Sequence, residues 1–346
     1  MARLAMCGWE SGRTDELGTY ATASGSESIQ TLCRTGTYAY KAQGAGYVET
    51  NYSAQRAVTF NSQPSELWVR IAVLGQILNG PPESFLEFLD GATVQLVFAT
   101  NNVGILLLYR GTTLIASGGA IPNSGSLVCV EAHIVFHGTT GSVTAWINGV
   151  QVLTFTGSTI STANARATGF RFGVRKFSGW LGGGDSSAFW LDDLAINDTT
   201  GSLNNGRIGQ GGIFPLFPTA DTADKDWARS AGSDNFSLVN SAPPDDDTTY
   251  VTATSVGDRD LYEFGNLTNV NSIDAVAVSG RLRTTVGAGA PVGFAMRSGA
   301  TTGDVASHQV SGQWTTFTDV VEADPNTAAA WTLAAVNSLQ AGFTIL

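Results

Sequence analysis

Lysine and glutamate are scarce in this 346-residue chain, and only three cysteines, three histidines and three methionines occur. Long helices draw on Lys, Glu, Leu and Gln, so this scarcity argues against an α-helical protein. The cysteines Cys7, Cys33 and Cys129 are odd in number and too sparse for a disulfide scaffold. Free thiols are the expectation, with a Cys7–Cys33 bridge as the alternative. The greasiest run, Ile105 to Tyr109, is far too short to span a bilayer. The start, Met1 to Met6, lacks the apolar segment of a secretory signal. These absences predict a soluble chain made in a cytoplasm and not inserted in a membrane.

What is present points to β-structure. There are 41 glycines, with abundant Thr, Ser, Val and Ala, as many short strands and tight turns require. Hydrophobic residues make up 43%, enough for a sizeable core. The net charge of -11 is uneven: 14 acids face 12 bases up to Pro218, and 15 face 6 from Thr219 onward. A negative surface repels phosphate backbones, which excludes nucleic acid as a partner.

Strand-like runs recur through the first 200 positions. Leu67 to Val73 and Thr93 to Ala99 alternate with period two, and Leu127 to Phe136 puts Glu131 and His133 opposite Val130, Ala132 and Ile134. Val143 to Ile147, Asn148-Gly149 and Val150 to Leu153 form a two-residue hairpin, because Asn-Gly tolerates positive φ at both turn positions. Trp68, Trp146 and Trp190 sit mid-strand among aliphatic residues and are expected in the core. Ala188 to Ile196 reads as the closing strand of a first domain, residues 1–205. Residues 206–218 read as a linker carrying the apolar stretch Phe214 to Phe217. A second domain, residues 219–346, has strands expected at Tyr250–Thr254, Asp260–Phe264, Ile273–Thr285, Pro291–Arg297, Trp314–Val321 and Ala341–Leu346. One short helix is expected at Thr327–Val336. The class is all-β: two β-sandwich, jelly-roll domains.

The first 200 residues resemble concanavalin A-like, laminin-G-type jelly rolls. The resemblance is carried by Glu131-Ala132-His133-Ile134, by Trp146 to Val152, by Phe170-Arg171-Phe172-Gly173 and by Phe189 to Ile196. Along nearly its whole length the chain resembles structural proteins of tailed bacteriophages, through Asp245 to Val251, Asp260-Leu261-Tyr262, Ser272 to Val276, Glu322 to Thr327 and Trp331 to Gln340. That resemblance implies a non-enzymatic virion protein on the particle exterior, at capsid, neck or tail, with other virion proteins as partners and homo-oligomeric contacts. The alternative is a lectin-like adhesin for host-surface glycan, and a weaker one is a glycoside hydrolase.

Candidate site residues follow. Laminin-G-type sandwiches hold Ca²⁺ at the sheet rim, which makes Asp192 and Asp193 candidate ligands; the other reading is that an inward Asp fastens backbone amides of a neighbouring loop. On a strand the two face opposite ways. Asp245-Asp246-Asp247 reads as a solvated turn, with calcium as its alternative. Trp180, in a glycine-rich loop, suits stacking on a sugar or anchoring a subunit contact. Phe214 and Phe217 are candidate interface residues or part of an edge strand. Glu87-Phe88-Leu89-Asp90 is the nearest approach to a glycosidase carboxylate pair, but a third acid is missing and positions three apart on a strand diverge. His133 and His137 lack a third ligand for zinc and read as ordinary strand histidines. No cofactor is expected beyond the calcium alternative, and no catalytic constellation stands out.

Overall fold

A computed structural model describes residues 2–21, 24–44, 53–76, 82–122, 124–176, 187–286 and 291–346. The chain divides into two units, Met1–Phe214 and Pro215–Leu346. Both are β-structures, which matches the expected class. Among the described residues no helix is long and apolar enough to cross a membrane.

The first unit begins with β1 (Arg3–Cys7), β2 (Thr19–Tyr20), β3 (Gly25–Gln30), β4 (Ala39–Gly44) and β5 (Ser53–Thr59). It continues with β6 (Glu66–Gln76), β7 (Glu83–Asp90), β8 (Thr93–Thr100), β9 (Ile105–Arg110) and β10 (Thr113–Ala120). The last strands are β11 (Val128–Val135), β12 (Gly141–Ile147), β13 (Val150–Gly157), β14 (Gly169–Lys176) and β15 (Ala188–Asn197). Sheet I runs β13-β12-β11-β6-β15-β4-β3, with β1 added on β15, and sheet II runs β10-β9-β8-β7-β14-β5-β2. Long crossovers put β6 beside β15 and β7 beside β14, the interleaving of a jelly roll.

Period-two alternation decides which side chains fill the space between the sheets. From β6 come Leu67, Val69, Ile71 and Val73; from β14 come Phe170, Phe172 and Val174. Trp9 stacks on Tyr40 at 5.5 Å between ring centroids and meets Phe172 at 5.4 Å. The same alternation overturns one expectation. Trp68, Trp146 and Trp190 occupy the opposite parity, so they lie half-buried on the outer face of sheet I. There Trp68 stacks on His133 at 4.0 Å, Arg207 lies 4.4 Å over Trp146, and Lys41 lies 4.6 Å over Trp190.

The β12–β13 hairpin closes as expected, with Asn148 and Gly149 at φ of 47° and 80°. The Asn148 side chain also accepts from the Cys129 amide at 3.0 Å, which ties the turn to the start of β11. β15 is the last strand of the first unit and returns to the middle of sheet I, between β6 and β4. Residues 206–213, expected as linker, are fastened to the first unit. Arg207 and the Gly209 amide bind the buried Glu131 carboxylate at 2.7 and 2.9 Å, and the Ile213 amide reaches Asp193 at 2.6 Å. Cys7, Cys33 and Cys129 are free, so the Cys7–Cys33 bridge does not form.

The second unit holds β16 (Pro218–Lys225), β17 (Ala228–Arg229), β18 (Val251–Thr252), β19 (Arg259–Phe264) and β20 (Val276–Leu282). After these come β21 (Val292–Ser298), β22 (Thr301–His308), β23 (Thr315–Val321), the helix α1 (Leu333–Asn337) and β24 (Gln340–Ile345). Its main sheet runs β16-β19-β24-β21-β22, and the β20–β23 ribbon shares a core with it through Leu282, Phe317 and Phe343. The helix starts later than expected because Asp324 holds residues 326–328 in a tight turn through Asn326, Thr327 and Ala328. Thr332 then caps it, accepting from the Ala335 amide.

Candidate functional site

The outer face of sheet II is shaped by the alternation of β14. Phe170, Phe172 and Val174 point into the core, so Gly169, Arg171, Gly173 and Arg175 point out. The glycines are required by their neighbours. A Cβ on Gly169 would stand 2.3 Å from the Val58 carbonyl oxygen. One on Gly173, at φ of 123°, would stand 2.1 Å from that of Ala54. Arg171 therefore projects alone between two positions without side chains. Its cross-strand partners are Ala57 on β5 and Glu87 on β7. An open groove of about 590 Å³ runs over this surface, lined by Ala57, Thr59, Leu89, Asp90, Asn164, Arg166 and Arg171 among others. That volume is in the usual range for ligand sites.

Polar groups on this face are buried yet incompletely paired. Glu87 is fully buried; one oxygen accepts from Ser84 Oγ at 2.7 Å and Arg175 Nε at 2.5 Å, and Oε2 has no partner among the described residues. Gln55, on the same face of β5 as Ala57, is fully buried with neither amide atom bonded. Arg171 makes no hydrogen bond or ion pair among the described residues, and its Nε is buried. Nine in ten buried polar atoms find partners in folded proteins, so three such residues on one sheet face are unusual. At the groove's other end Asp90 is fully engaged by Thr162, Asn164 and Arg166. Hydrogen bonds from Asn164 and Arg166 hold its carboxyl below the usual range. Arg166 is thereby neutralised and Arg171 is not.

The residues singled out from sequence fall elsewhere. Asp192 and Asp193 are both buried, and strict alternation fails there: β15 slips register against β6 between Asp192 and Ala195, with Asp193 at φ of 51°. Both carboxylates consequently reach the same loop. Asp192 accepts from the Arg34 and Thr35 amides at 2.8 and 3.2 Å, while Asp193 binds Arg34 Nη1, Thr35 Oγ1 and the Ile213 amide. Burial, and then the charge of Asp193, raise the Asp192 carboxyl. Beside them Glu10 accepts from the Thr37 amide, and burial pushes its carboxyl up to about 8. Among the described residues no three His, Cys, Asp or Glu side chains are grouped to hold a metal ion.

Asp246 and Asp247 pair with Arg281 and Arg283, and Asp245 accepts from Thr249. Trp180 lies outside the described residues. Phe214 and Phe217 are 49% and 36% exposed, and neither lies in a strand; between them Leu216 packs into the second unit's core. His133 pairs with Glu66 at 2.6 Å, and the His137 ring accepts from the Thr139 and Thr140 amides of its own turn. Of Glu87 and Asp90, set aside as a diverging pair, Asp90 lines the groove, while Glu87 is buried across from Arg171 and does not line it. Arg171 and Gln55 were not anticipated. The available signal was the Gly-x-Arg-x-Gly spacing of 169–173, which on a strand isolates one cation on one face.

No family model matches the chain, and no curated protein matches it. Solved structures do. The cellulose-induced protein Cip1 is 20% identical, with a TM-score of 0.43 over 60% of this chain and 100% of its own. An endo-beta-1,4-glucuronan lyase from the fungus Trichoderma reesei is 16% identical, with a TM-score of 0.43 over 56% and 95%. The catalytic domain of a glycoside hydrolase family 131 protein from Coprinopsis cinerea is 14% identical, with a TM-score of 0.42 over 62% and 100%. At such identities the likeness is one of fold. The expected non-enzymatic virion component is not retained: the structures named are a cellulose-induced protein, a glucuronan lyase and a glycoside hydrolase domain, and none of them is a phage protein.

Proposed function

We propose that the first unit recognises an acidic polysaccharide along the outer face of sheet II. The observation that carries this is Arg171, a guanidinium without a counter-charge among the described residues, standing in an open groove. Guanidinium presents a planar fork that matches a carboxylate, the charged group of a uronic acid. Behind it, on the same face of β5 as the groove residue Ala57, Gln55 is buried with an unbonded amide and does not line the groove. The test is affinity of the full chain for polyglucuronate and for neutral dextran, with Arg171→Gln beside wild type. A hydrogen bond to a charged group contributes roughly 1.5–3 kcal/mol, so the substitution weakens polyglucuronate binding by about 10- to 100-fold. Equal binding by wild type and variant, or preference for dextran, contradicts the reading.

A further inference from the structure

Glu87 and Arg171 are directly opposed across β7 and β14, on the same face of sheet II. Opposed residues have Cβ atoms about 4.5–5.5 Å apart, close enough for these opposite charges to pair. They do not pair. The Glu87 oxygen is held instead by Arg175 Nε at 2.5 Å and by Ser84 Oγ at 2.7 Å. The register of β14 against β7 shifts between Phe172 and Arg175, where Gly173 sits at φ of 123°. That shift sets Arg175 opposite Ser84, so both donors converge on one carboxylate oxygen. Arg171 is left without a partner among the described residues.

We propose that Arg175, assisted by Ser84, is a positioning residue of the groove: it holds Glu87 away from Arg171 and so keeps the Arg171 guanidinium available to a ligand carboxylate. The proposal rests on the acidic-glycan reading for its biological meaning, but the competition between the two arginines for Glu87 does not depend on any glycan. Without Arg175, the cation directly across the strands from the buried Glu87 carboxylate is Arg171, and a buried charge left unpaired is strongly disfavoured. Glu87 then quenches the recognition cation.

The experiment uses the full chain as wild type, Arg175→Gln, Arg175→Lys, Ser84→Ala and the double variant Arg175→Gln/Glu87→Gln, each checked for a cooperative thermal melt. Arg171 accessibility is read without ligand, as its rate of modification by phenylglyoxal in peptide mass spectra. Polyglucuronate affinity is read alongside. Arg175→Gln slows modification of Arg171 and weakens polyglucuronate binding by about tenfold, the scale of one charged contact. The double variant restores the rate, because a neutral amide no longer competes for Arg171. Arg175→Lys stays near wild type, and Ser84→Ala shifts in the direction of Arg175→Gln by a smaller factor. If Arg175→Gln does not fold, Ser84→Ala and Arg175→Lys still decide the matter. Unchanged modification in both Arg175→Gln and Ser84→Ala, or no restoration in the double variant, overturns the proposal. The expected modification pattern without polyglucuronate binding by wild type overturns the glycan reading and leaves the positioning role standing.

Discussion

Gln55 and Arg171 hold buried polar atoms that the folded chain leaves unbonded among the described residues. Each unsatisfied buried donor or acceptor costs about 1–3 kcal/mol, which is a sizeable part of a domain's net stability. A ligand that bonds Arg171 recovers part of that cost, whereas the structural ion pair of Asp90 with Arg166 has no such deficit to repair. Gln55 therefore gives the clearest residue-scale prediction. Gln55→Met keeps the length of the side chain and removes both orphan groups. It stabilises the protein by about 1 kcal/mol, read as a higher denaturant midpoint at unchanged slope, and leaves polyglucuronate binding unaltered, because Gln55 is buried outside the groove lining. A destabilised variant, or weakened binding, contradicts this account of Gln55. Asp192 and Asp193 make the opposite case. Their oxygens are occupied by donors of residues 34, 35 and 213, and they knit a loop and a chain segment to the sandwich.

At the scale of elements, β14 does two jobs on its two faces: phenylalanines build the core, and glycines clear space around Arg171. Gly173→Ala should damage both, because its φ of 123° is closed to L-residues and its Cβ would press on the Ala54 carbonyl. A loss of more than about 1 kcal/mol is expected, with weaker polyglucuronate binding as β5 is pushed from β14. A variant as stable as wild type would show that β5 can yield at no cost. Elements with a local chemical cause were legible in the sequence. Asn148-Gly149 announces its hairpin because few other pairs accept positive φ twice. β16 and β22 were missed because they are the edges of their sheet, polar and partly exposed, so no apolar alternation marks them. The three strand tryptophans misled for a related reason: apolar character says that a side chain is covered, and parity against the core decides on which face. The candidate site was hidden because its meaning lies in a missing partner. Phe170 to Gly173 reads as an ordinary closing strand until pairing with β5 and β7 shows that Arg171 has nothing to bind.

For the whole molecule, the division into two units falls at Phe214–Pro215, inside the stretch that the sequence marks by its glycines and prolines. What the sequence could not show is that residues 206–213 belong to the first unit, since the buried Glu131 and Asp193 that secure them are distant in sequence. The charge distribution bears on the proposed ligand. A net -11 opposes an anionic polymer at long range, but the excess acid lies after Thr219, and the first unit is close to neutral. Charges farther than about 8 Å are largely screened at physiological salt, so recognition must come from local contacts in the groove and not from steering by the overall field. The most direct measurement is calorimetric titration of the full chain with polyglucuronate and with the same polymer after chemical reduction of its carboxyl groups to alcohols. Backbone, length and linkage are then shared, and only the charge that Arg171 would meet differs. Saturable binding of the native polymer, with affinity lower by at least about tenfold for the reduced one, is the predicted result. Equal affinity for both polymers, or heat from neither, would contradict an acidic-glycan site on sheet II.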